Sequence, residues 1–98
     1  MTADQIIEAI NEIMESNEKT AQKTQKTLML ISGNDEEIYN KILYVIQGID
    51  YASLDIKRIK SAFKSKQDPD DKVAEFIYVI TEGNPAKYNA ISDILMSE

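Results

Sequence analysis

Gly33, Gly48 and Gly83, together with Pro69 and Pro85, cut this chain into short stretches, and each stretch carries apolar residues three and four positions apart. That spacing puts one apolar stripe along a helix. Glycine takes the left-handed position that ends a helix without steric cost, and proline fits a first helical turn, so the five residues act as stops and starts. The pattern predicts an all-α chain, a compact orthogonal bundle of about five helices in a single domain spanning 1–98.

Thr2 and Gln5 have capping-box spacing and start the first helix near residue 3. Ile6, Ile10, Ile13 and Met14 form its stripe. Residues 15–27 lack large apolar side chains but also lack Gly and Pro. At about 100° per residue, Leu28 projects with Ile10 and Ile31 with Ile13. This agreement of phase favours one long first helix reaching about Ser32 over two short ones, while the low helix propensity of Thr20, Thr24 and Thr27 leaves a break near Asn17 as the alternative. Its middle, around Asn17, Thr20 and Thr24, is expected in solvent or in a polar partner contact rather than inside the monomer, because a dry core demands hydrogen-bond partners. Ile6, Ile13, Thr20 and Thr27 at heptad spacing would give a weak homodimer seam.

Four further helices are expected. An Asn34 cap precedes the stripe Ile38, Ile42, Val45 and Ile49. The next helix runs from Tyr51 to about Ser65 and buries Ala52, Ile56, Ile59 and Phe63. Asp68 with Pro69 starts the stripe Val73, Phe76, Ile77 and Ile80; Asn84 with Pro85 starts Tyr88, Ile91, Ile94 and Leu95. The segments ISGNDEEIYNKI at 31–42 and ITEGNPAKYNAI at 80–91 resemble each other. Shared break chemistry accounts for this more simply than a helical repeat, since solenoid units recur with steadier spacing.

Apolar residues make up 43% of the chain and charged ones 29%, the composition of a folded domain. There is no cysteine, so disulfides and thiolate chemistry are excluded. The acidic N-terminal stretch does not read as a signal peptide, and no apolar run reaches the roughly 20 residues of a membrane span. The expected setting is the cytoplasm of a cell or of a phage-infected host, with no membrane partner.

Histidine is absent as well, which removes the usual near-neutral base and imidazole ligand. No Ser elbow, phosphate loop or dinucleotide fingerprint is present. The acidic residues Asp68, Asp70 and Asp71 read as the first turn of a helix rather than a calcium loop. The expectation is a protein that is not an enzyme and has no cofactor or metal.

The net charge is −6, yet residues 51–66 hold five basic side chains against one acidic. Lys57, Lys60 and Lys64 follow one face of the expected third helix, with Arg58 beside them. Tyr44 and Tyr51 flank the turn before it. An amphipathic ring and a basic face suit a half-exposed interface. These six residues are the candidate partner-binding set, and the partner expected is a protein with an acidic patch. The leading functional expectation is a non-catalytic protein-binding factor of the kind represented by stoichiometric inhibitors, immunity proteins or phage accessory proteins. The alternatives are a nucleic-acid-associated protein using the basic helix, opposed by the overall acidity, and a structural homo-oligomer.

Overall fold

The computed structural model describes residues 2–96. Among them are six α-helices and one 3-10 turn: α1 (Ala3–Glu15), α2 (Thr20–Ile31), α3 (Glu36–Val45), the turn Tyr51–Ser53, α4 (Ile56–Lys64), α5 (Pro69–Ile80) and α6 (Pro85–Met96). The chain is all-α, as the stripes predict.

The long first helix does not form; the chain takes the alternative, a break around Asn17, between Glu15 and Thr20. Ser16 ends α1: its hydroxyl donates to the Ile13 carbonyl at 2.7 Å and accepts from the Glu18 N–H at 3.3 Å, with the backbone extended at ψ 168°. A serine side chain thereby replaces the next helical bonds. Folding back brings α2 onto α1, and the Lys23 ammonium donates to the Met14 carbonyl at 2.7 Å, covering an oxygen that the helix end had left open.

Of the middle expected in solvent, Asn17 is exposed, but the expectation fails further along α2, and the homodimer seam fails with it. Thr24 and Thr27 are fully buried in the monomer, which costs little because each hydroxyl donates to a carbonyl four residues back, Thr20 at 2.9 Å and Lys23 at 2.8 Å. The heptad seam is interrupted between Glu15 and Thr20, and its last member lies in the core.

The helix expected from Tyr51 is broken as well. Asp50 accepts from the Ala52 N–H at 3.1 Å and holds a 3-10 turn, Leu54 is extended, and Asp55 caps α4 by accepting from the Arg58 N–H at 3.1 Å. Ala52 is therefore exposed, while Ile59 and Phe63 are buried. Asp35, not Asn34, caps α3, accepting from the Glu37 and Ile38 N–H groups. Asn34 takes the left-handed conformation, at φ 60°.

A shift of 49 residues maps the first half of the chain onto the second. Thr20–Ile31 becomes Pro69–Ile80, and the starts of α3 and α6 coincide. Ser65 repeats Ser16, donating to the Ala62 carbonyl at 2.7 Å and accepting from the Gln67 N–H at 3.3 Å. The left-handed pair Gly33 and Asn34 recurs as Glu82 and Gly83. The Asn34 N–H donates to the Met29 carbonyl, five residues back, and the Gly83 N–H donates to the Tyr78 carbonyl across the same span. The repeat that the sequence argues against is therefore present as two copies of a three-helix unit rather than as a solenoid.

Within each copy the first helix packs on the second and the second on the third; between copies α1 packs on α4 and α3 on α6. Contact of α1 and of α3 with their own counterparts is what an isologous, two-fold-like pairing produces. One apolar cluster joins the halves, with Ile10 and Ile59, Met14 and Phe63, and Ile42 and Ile91 as matched pairs at its centre. The Phe63 and Phe76 rings meet at 5.8 Å.

Candidate functional site

The candidate residues on α4 are brought to the surface, where three of the four cations meet two carboxylates. Lys60 and Lys64, one turn apart, share the Glu15 carboxylate at the end of α1; the Lys60 distance is 3.4 Å. These two ammonium groups hold the Glu15 carboxyl below its ordinary value. Arg58 donates to Glu75 of α5 at 2.5 Å. Lys57 is exposed and has no ion-pair partner among the described residues. The sequence shows five cations on one segment; it does not show that α1 and α5 lie alongside and bring carboxylates to three of them.

Tyr44 and Tyr51 are not equivalent. Tyr44, on α3, is 73% exposed. Tyr51 is half-buried against the core beside Tyr39, and its hydroxyl is pushed up by burial and by that neighbour. α3 packs on α2 and α6 whereas α4 packs on α1 and α5, so Tyr44 stands on a different layer from the basic residues.

Sequence reasoning, which prefers Tyr44 and Tyr51 among the five tyrosines, passes over Tyr78. Its ring, 46% exposed, lies under the Arg58 guanidinium, with the guanidinium carbon 4.9 Å from the ring centre. Glu75 precedes Tyr78 by one turn on the same face of α5 and fixes Arg58 from the side. Gly83 backs the ring: a Cβ there would stand 3.2 Å from the Tyr78 hydroxyl. Arg58, Glu75 and Tyr78 line an open groove of about 510 Å³ together with Gln67, Asp71 and Asn89. Its counterpart in the first repeat lies between α1 and α2 around Met29 and is bridged by Glu18 and Lys26 at 2.5 Å. At equivalent positions Lys26 becomes Glu75 and Ala9 becomes Arg58, so the cation has moved to the facing helix and now covers an aromatic ring.

Among the described residues no group of three carboxylates is gathered that could hold a metal ion, and no helix is long and apolar enough to cross a membrane. The chain matches no protein-family model, no curated protein and no solved structure.

Proposed function

We propose that this chain is a non-catalytic protein-binding factor whose contact surface is centred on Arg58 and Tyr78. The observation that carries the reading is the Arg58 guanidinium held over an exposed Tyr78 ring and fixed there by Glu75. Tyrosine and arginine dominate the energetic centres of protein interfaces, and a pair already ordered before binding loses less side-chain entropy on contact. Lys57 at the edge adds attraction for an acidic partner surface. Stoichiometric inhibitors, immunity proteins and phage accessory proteins act in this manner, by occupying a surface. Phosphate recognition is the weaker reading, because Arg58, Lys60 and Lys64 already neutralise carboxylates on a chain of net charge −6.

Affinity capture from extract, with mass-spectrometric identification and repeated at low and moderate salt, tests this. A specific protein is expected with the unaltered chain and is lost with Tyr78→Ala and Arg58→Ala. Recovery of no specific protein, or undiminished capture by both variants, overturns the reading.

A further inference from the structure

The two repeats differ at one place where an apolar surface is covered in one copy and open in the other. In the first repeat, the 3-10 turn lies on α2, and the linker side chains Ile49, Tyr51 and Leu54 pack against the core. Thr24 on α2 and Ile46 at the end of α3 are fully buried. The counterparts of these two residues, Val73 on α5 and Leu95 on α6, are only half-buried. A valine more exposed than the threonine at the equivalent position inverts the usual order of burial.

The cause lies in the first turn of α1. Thr2 and Gln5 are the counterparts of Tyr51 and Leu54. They engage each other's backbone in a capping box, with the Gln5 N–H donating to the Thr2 hydroxyl at 3.2 Å and the Thr2 N–H to the Gln5 amide oxygen at 2.9 Å. The regular helix they start leaves a groove of about 560 Å³ over α5, lined by Ile6, Val73, Ile77, Tyr88 and Leu95. Met96 at its rim is 82% exposed. Among the described residues, none takes the place over this groove that Tyr51 and Leu54 take in the first repeat.

We propose that this groove binds a short segment of another protein that presents a tyrosine and, three residues on, a leucine in a turn, as the linker presents Tyr51 and Leu54 to the first repeat. The chain's own linker is the template for the occupant: a 3-10 turn places its first and fourth residues on one side, and here both pack against the core as the turn lies on α2, with Tyr39 of α3 beside Tyr51. Binding of such a segment is a form of peptide recognition by an apolar groove between helices. The proposal shares with the preceding reading only the premise of protein binding; Ala74 and Tyr88 line both grooves and separate the two sites.

The probe is a blocked synthetic peptide with the sequence of residues 47–56, titrated to millimolar concentration into the methyl-labelled 98-residue chain. Methyl shifts are expected at Val73, Ile77 and Leu95 and not at Leu28. A peptide carrying Tyr51→Ala and Leu54→Ala should bind at least about tenfold more weakly, a difference of about 1.4 kcal/mol. Val73→Glu and, as a variant at a side chain too exposed to threaten the fold, Met96→Glu should weaken binding, while capture through Tyr78 persists. Absence of shifts at millimolar peptide, shifts confined to other methyls, or equal binding of the alanine peptide overturns the proposal. So does a concentration-dependent mass that Met96→Glu abolishes, which would make a second copy of this chain the occupant.

Discussion

Ser32 and Thr81 end their helices with the same hydrogen bond: the Ser32 hydroxyl donates to the Leu28 carbonyl at 2.7 Å, and the Thr81 hydroxyl to the Ile77 carbonyl at 2.8 Å. Both side chains are buried, and both precede two consecutive left-handed residues. The conformation repeats although the letters do not. Glycine occupies the first left-handed position in one copy and the second in the other.

That mismatch gives opposite expectations at equivalent positions. Glu82, at φ 54°, carries a Cβ in a conformation that costs roughly 1–2 kcal/mol for an L-residue, partly offset in glycine by chain entropy. Glu82→Gly should stabilise by up to about 1 kcal/mol, and Gly33→Ala should destabilise by about 1 kcal/mol or more although nothing lies within 4 Å of the added Cβ. Urea denaturation of both variants checks the pair. Equal signs would contradict the left-handed assignment.

Thr24 sits where the second repeat has Val73, and its hydroxyl bonds only to a carbonyl of its own helix. Thr24→Val removes a buried polar group together with its need for a partner. The expected outcome is a gain of roughly 0.5–1 kcal/mol. A loss of more than about 1 kcal/mol in thermal unfolding would mean that the hydroxyl supports packing that valine cannot.

The Glu15 carboxyl is held below its ordinary value of 4.5 by Lys64 and Lys60. A depressed carboxyl contributes stability that is fully present above its unfolded pKa and disappears as pH falls through the lower folded value. Stability should therefore fall with acid below about pH 4.5, and Glu15→Gln should flatten that part of the curve. The effect is small and shrinks in salt because all three groups are exposed. An acid limb left unchanged by Glu15→Gln would show that the pairs contribute nothing in solution.

Gly83→Ala combines a left-handed backbone with a Cβ 3.2 Å from the Tyr78 hydroxyl. It should cost about 1–2 kcal/mol. It should also displace the tyrosine ring from Arg58, visible as a change in Tyr78 ring chemical shifts. Destabilisation with unmoved ring shifts would separate the backbone effect from the support of the ring.

Much of the scaffold is legible in the chain. The Thr2 and Gln5 box, Pro69 at a first turn, and the Asn84 cap, which accepts from the Lys87 N–H at 3.1 Å, all act within a few residues of themselves. The break at Ser16 is less legible. Serine ends this helix with its hydroxyl turned back to a carbonyl, a choice that residue spacing does not reveal, and the continuous phase from Ile10 to Leu28 points the other way. The repeat is hidden because only nine of the 49 aligned pairs are identical, among them Ile10 and Ile59, Ser16 and Ser65, and Tyr39 and Tyr88.

Sequence alone determined that the chain is helical and where most turns fall, because caps, prolines and apolar spacing are local quantities. It also determined that histidine and thiol chemistry are absent. Tertiary structure decided which charges remain available: the packing of α1 and α5 beside α4 sets Glu15 against Lys60 and Lys64, and Glu75 against Arg58. It decided as well that Tyr78 receives the arginine and that, among the described residues, one of two related grooves is left uncovered. Those outcomes depend on distances between residues far apart in the chain, and no periodicity along a sequence encodes which carboxylate will arrive beside which cation.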